Sequence, residues 1–228
     1  IKDIKHSIEH ENLKPDFFFL IPELIIKSSI VIKSSAGFDA ISQAVESLIS
    51  KKSNGDSIKF SEQSLKLSLN NYIHYLNKPN KENSFKMLLA ANLSGKAISI
   101  TKTTAPHAVS YPFSSIFGIP HGHAVSLTLS KFLDFNYLNI KNSETEFDLQ
   151  KRFNLLFKIF KVKNINELIL SFDNLKKKAF LDQKLKKFGI DIQRDYSKIL
   201  SGINLKRLKN NPINVDENDI KKILLSLK

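Results

Sequence analysis

Apolar residues recur at helical spacing along most of this chain. Within residues 38–50 they fall at 38, 41, 45, 48 and 49, one face of a helix. Residues 57–76 repeat the pattern, with Leu65, Leu69, Tyr72, Ile73 and Leu76 on one side. Polar breaks at 51–57 and 78–81 separate these segments from a third, 83–101, rich in Ala90, Ala91, Ser94, Gly95 and Ala97. Small residues let a helix approach its neighbour closely. Residues 105–114 read as a helix with Pro106 in its first turn, where proline is tolerated. A turn at 117–120 precedes a helix over 121–135. Further helices are expected over 146–160, 165–178 and 217–227, with an acidic-basic connection near Asp191. One segment differs. The apolar run 17–21, bounded by Pro15, Asp16 and Pro22, predicts a single buried strand. The expected fold class is all-α, a multi-helical domain with one stray strand at its start.

Composition narrows the function classes. With 228 residues and 42% hydrophobic content the chain can bury a sizeable core. The absence of cysteine excludes disulfides, thiolate metal sites and a thiol nucleophile, and fits a cytoplasmic setting. No early apolar signal segment and no run of about 20 apolar residues occurs, so neither export nor a membrane partner is expected. The formal charge of +13 admits nucleic acid or a small anionic substrate as partner. It also fits a composition inflated in lysine throughout. The lysines are scattered along helical patterns and do not alternate with exposed aromatics, which argues against a nucleic-acid groove.

The candidate chemistry lies in two stretches. His107 and His121 sit among small, proline-fixed and apolar neighbours, a setting that suits a buried divalent metal. Each could equally be a hydrogen-bonded core histidine. Asp39 follows Gly37 near an expected helix start, with Gln43 one turn on, on the same face. Asp39 therefore reads as a helix cap or as a carboxylate that needs a cation. His74 reads as structural, and His6 with His10 as solvent-exposed.

Gly37-Phe38-Asp39-Ala40 with Gln43-Ala44 and Glu46, then His107-Ala108, then Pro120-His121-Gly122, resemble the iron-containing (group III) alcohol dehydrogenases. That family carries a Gly-x-Asp-Ala-x-x-His-Ala-x-Glu helix and two further histidines in His-Ala and Pro-His-Gly settings. The resemblance implies the helical C-terminal domain of a dehydroquinate synthase-like fold. It implies Asp39, His107 and His121 as ligands of a divalent metal, Fe2+ or Zn2+. Gln43 stands at the fourth ligand position, where histidine is usual. Tyr111 replaces a histidine common four residues after the first metal histidine.

A narrower resemblance, through residues 94–108 and 117–125, is to phosphonoacetaldehyde-reducing members of the family. It implies a small phosphonate aldehyde as substrate, with Lys102, Thr101, Thr103 and Thr104 as its expected binding residues. His123 and Tyr111 are the expected proton-relay residues. The resemblance also implies NADH or NADPH, held by an N-terminal dinucleotide-binding domain. The seven glycines here form no phosphate-binding cluster, so that domain is expected to be missing. Residues 1–22 would be its linking remnant and residues 23–228 the metal-binding catalytic domain. A homo-oligomer is expected, since the stray strand needs cover. The chain alone is expected to bind metal weakly and to lack reductase activity.

Overall fold

The computed structural model describes residues 10–13 and 15–227. After a 3-10 turn at Glu11–Leu13 come α1 (Glu23–Ile26), α2 (Ile30–Ile49), α3 (Gly55–Asn77) and α4 (Lys81–Thr101). Then follow α5 (Ala105–Ser115), α6 (His121–Leu138), α7 (Leu149–Phe160) and α8 (Ile165–Lys178). The chain closes with α9 (Ile192–Ser201), α10 (Leu205–Leu208) and α11 (Glu217–Leu225). Among the described residues no strand forms; one isolated antiparallel bridge joins Ser143 to Ile213. The fold is all-α.

Local chemistry starts the helices. The Asn54 side chain accepts from the backbone N–H of Ser57 at 3.0 Å while the Ser57 hydroxyl accepts from Asn54 N, a reciprocal cap on α3. Asn80 with Asn83, and Asp216 with Asp219, do the same for α4 and α11. Asp148, Asn164 and Asp191 cap α7, α8 and α9 by their side chains.

α2 runs through the middle of the molecule and is buried over most of its length, against α3, α4 and α6. One core cluster gathers Phe38, Leu48, Leu65, Tyr72, Phe153 and Phe172 around α2, α3, α7 and α8. A second gathers Val109, Phe113, Phe132, Ile199 and Leu224 around α5, α6, α9 and α11. α6 contributes to both, so its N-terminus is held between them.

Three sequence expectations are corrected. Residues 17–21 are not a buried strand: Phe17 is 82% and Phe19 84% exposed, and no neighbouring strand supplies ladder partners among the described residues. α2 begins at Ile30, capped by Ser29, so Asp39 lies in the helix interior and is no cap. Gly37 lies inside α2 as well. A methyl there would overlap the Tyr72 ring, 2.7 Å from Cδ2, so glycine lets α3 close onto α2. The connection near Asp191 contains a further helix, α9. No helix among the described residues is long and apolar enough to cross a membrane.

Candidate metal centre

Asp39 comes from the middle of α2, His107 from the first turn of α5 and His121 from the first residue of α6. Their convergence depends on Gly122. A methyl on Gly122 would overlap the Ser35 carbonyl oxygen and lie 2.8 Å from Asp39 Cβ. Only glycine lets the start of α6 rest on the α2 backbone, and that contact brings His121 to Asp39.

Asp39 Oδ1 lies 3.1 Å from His107 Nε2 and 3.8 Å from His121 Nε2. One ligand atom from each residue falls within 4.8 Å of the others. Tetrahedral ligands at ordinary zinc–nitrogen and zinc–oxygen bond lengths stand about 3.4 Å apart, so the donor set fits a divalent cation. The His107 side chain is 3% exposed, whereas those of Asp39 and His121 are 21% and 28% exposed. The group is therefore sealed behind His107 and open on the side of Asp39 and His121.

Gln43, one turn beyond Asp39, donates from Nε2 to Asp39 Oδ2 at 2.8 Å and accepts from Ser94 Oγ at 3.0 Å. In this arrangement the amide presents a donor to the carboxylate and spends its oxygen on α4. That ties the Asp39 carboxylate to α4 through Gln43.

Glu46 was not among the sequence candidates. It continues the stripe of Asp39 and Gln43 along α2 and is fully buried. Its Oε2 accepts from Thr104 N at 2.7 Å and Thr104 Oγ1 at 2.8 Å, and its Oε1 meets His107 Nδ1. Such a carboxylate fixes the ring so that Nε2 faces Asp39 and the point where a cation would sit. The spacing Asp39, Gln43, Glu46 carries the signal, because residues four and seven apart share a helix face. Burial opposes protonation of His107, yet the charge of Glu46 and the bond to Asp39 outweigh it and lift its pKa to about 9.

The other sequence candidates divide. Tyr111 is nearly buried one turn beyond His107, with its ring 5.7 Å from that of His121. His123 is buried, but its Nε2 bonds the Asp182 carbonyl oxygen at 2.6 Å and its ring packs edge-on to Phe188. Burial pushes the His123 pKa down, and the bond to Asp182 opposes that. The three threonines are buried and internally bonded. Thr101 Oγ1 donates to Ser47 Oγ, Thr103 Oγ1 accepts from Arg207 and Thr104 serves Glu46. Lys102 ends α4 half-buried at φ 59° and ψ 177°, a backbone region that favours glycine. Asn210 Nδ2 holds it there by donating to the carbonyls of Thr101 and Thr103.

Arg207 is the cation that the sequence candidates omitted. Its guanidinium donates to Thr103 Oγ1 at 2.8 Å and sits 5.9 Å from the Tyr111 ring centre. His74 and His10 are exposed, and His6 lies outside the described residues.

Residues 33–227 match the model of the Fe-containing alcohol dehydrogenase family, C-terminal. The chain is 29% identical over 140 residues to a phosphonoacetaldehyde reductase of Streptomyces viridochromogenes, covering 59% of this chain and 35% of that protein. It is 28% identical to a 1-propanol dehydrogenase of Salmonella typhimurium, covering 59% of this chain and 37% of that protein. Among solved structures, the sulfoacetaldehyde reductase of Bifidobacterium kashiwanohense in complex with NAD+ superposes with a TM-score of 0.77 at 25% identity. It covers 90% of this chain and 52% of that one. An iron-containing alcohol dehydrogenase from Thermococcus thioreducens has the same fold, with a TM-score of 0.81 at 19% identity over 96% of this chain and 56% of its own. These alignments take in little more than a third of the curated relatives and about half of the solved chains. The family model covers most of the sequence, and the chain belongs to the Fe-containing alcohol dehydrogenase family through its C-terminal domain.

Proposed function

We propose that this chain is the metal-binding half of an NAD(P)-dependent reductase acting on a small anionic aldehyde, with phosphonoacetaldehyde as first candidate. Residues 23–228 form the catalytic helical domain in this reading, and residues 1–22 link it to a dinucleotide-binding domain. The carrying observation is the meeting of Asp39, His107 and His121 at one point open on one side. Support for an anionic substrate comes from two relatives whose names specify a phosphono- and a sulfoacetaldehyde.

A divalent ion, Fe2+ or Zn2+, would supply Lewis acidity to a carbonyl oxygen there, and NADH or NADPH the hydride. The chain's own residues do the rest. Asp39 contributes the negative charge that holds the cation, and Gln43 keeps its second oxygen turned away. Glu46 fixes the His107 ring. Tyr111, beside His121, is assigned the proton that completes the alcohol, because His123 Nε2 is committed to the Asp182 carbonyl. Lys102 and Arg207, which flank Thr103, are assigned to the substrate anion. The propanol dehydrogenase relative favours a second reading, reduction of a neutral short-chain aldehyde.

Metal analysis and steady-state kinetics of the full-length protein test this. One equivalent of Fe2+ or Zn2+, lost in Asp39→Ala, and a kcat/KM for phosphonoacetaldehyde well above that for propionaldehyde are expected. Equal efficiency on both aldehydes overturns the anionic substrate. Absence of metal after reconstitution, with no turnover, overturns the enzyme reading.

A further inference from the structure

A second cavity lies away from the metal cluster. Residues of α6 and α8, residues 180–184, Ser226 and Leu227 line this half-open cavity of about 770 Å3. That volume is in the range of small-molecule sites, about 300–1,000 Å3. None of Asp39, His107 and His121 lines it. Its apolar wall is Leu127, Ile169, Leu181 and Leu227, with Phe180 beside them.

Lys176 is the buried cation of this cavity, 4% exposed. Its Nζ lies 2.7 Å from Asp173 Oδ1 and 3.3 Å from Ser130 Oγ. An ammonium carries three donors, and the contacts within the described residues account for two. Burial pushes its pKa down, and the neighbouring charge of Lys131 adds to that, against the pull of Asp173. Asp173 balances its charge, and the third donor is left for an incoming carboxylate oxygen. At the rim, Asp182 is already engaged by Lys187. Lys131, Lys177 and Lys184 then outnumber Asp134 among the remaining lining charges.

Phe180 is the second observation. It follows the C-terminal cap of α8 with φ 57°, a left-handed position that normally takes glycine or asparagine. Its side chain is 68% exposed. The ring lines the cavity and is free of core packing, which leaves it available to cover a ligand. The wall beside it is anchored. Gln183 Nε2 donates to Ser126 Oγ at 3.1 Å and to the Leu181 carbonyl at 3.0 Å, and His123 holds the Asp182 carbonyl.

We propose that this cavity binds an aliphatic carboxylate of medium chain length, its charge at Lys176 and its hydrocarbon against Leu127, Ile169, Leu181 and Phe180. Octanoate is the probe, titrated calorimetrically into the full chain, with inorganic phosphate and acetate as comparisons. Saturable one-to-one binding of octanoate is expected, with phosphate and acetate failing to compete. Lys176→Met should weaken octanoate by about tenfold or more, the loss of one charge-assisted contact. Phe180→Gly should weaken it several-fold while raising the melting temperature, since it relieves the left-handed strain. Absence of saturable octanoate binding to the folded chain overturns the proposal. So does unchanged affinity in both variants at retained melting temperature, and so does competition by phosphate at equal affinity, which would reduce the cavity to a simple anion site.

Discussion

Glu46 offers the sharpest test of the metal centre, because two substitutions there separate its structural role from its effect on the ligand. Three buried donors converge on it: Thr104 N, Thr104 Oγ1 and His107 Nδ1. Glu46→Ala strands them. A buried donor without a partner costs about 1–3 kcal/mol, although the threonine hydroxyl can rotate to another acceptor. Relief from burying the carboxylate offsets part of the rest, so a net loss of about 3–5 kcal/mol is expected, read by urea denaturation. Glu46→Gln behaves differently. The two Thr104 donors require the amide oxygen on their side, which turns the amide NH2 toward His107 Nδ1. The imidazole must then accept at Nδ1 and carry its proton on Nε2, the atom that faces Asp39 and the cation. Most of the fold survives, but the ligand atom is blocked. Metal affinity, measured by competition with a chromophoric chelator, should fall about 10- to 100-fold. A Glu46→Gln protein that binds Zn2+ as tightly as the parent refutes the assigned tautomer and with it the positioning role of Glu46.

Gly122→Ala drives a methyl into the Ser35 carbonyl and should lower stability by about 1–3 kcal/mol or more together with metal affinity. Gly95→Ala, where nothing lies within 4 Å of the added carbon, should instead stabilise α4 by about 0.5–1 kcal/mol; thermal melts compare the two. In the metal-free chain the His107 pKa of about 9 lies above its ordinary value of 6.5. Its protonated form therefore contributes stability that is complete below pH 6.5 and lost as pH rises through 9, on the order of 3 kcal/mol in all. Urea midpoints across that window should fall in the parent and stay flatter in His107→Gln. Gln43→Ala removes one donor from Asp39 Oδ2 and should weaken metal binding by about tenfold or less, well short of the loss in His107→Ala; equal losses would make Gln43 a ligand.

Most of the helices, though not the start of α2 or the existence of α9, were readable from the chain because their causes are local. Capping side chains such as Asn54, Asn80 and Asp216 act within three residues, and the 3.6-residue period is a property of short windows. The exceptions are instructive. The apolar run 17–21 reads as a strand, yet a strand exists only where another backbone pairs with it. Asp39 reads as lying near a helix start, yet α2 begins at Ile30, and Gly37 is there because the Tyr72 ring packs on α2 from α3.

Residue type and setting left Asp39 open as cap or ligand and His107 and His121 open as core histidines or ligands; the family resemblance joined the three, and the fold brings them within reach of one cation. What each polar side chain does with its neighbours was decided only in three dimensions. His123 and His121 are two residues apart, but one meets Asp39 and the other the Asp182 carbonyl. Thr104 reads as a substrate contact from its place beside His107; its hydroxyl is given to Glu46, 58 residues away. Gln43 stands at a ligand position of the resemblance, and packing hands its amide to Asp39 and to Ser94, 51 residues away. A hydrogen bond depends on which partner packing brings within about 3 Å, and that choice is made between helices, beyond the reach of any local pattern.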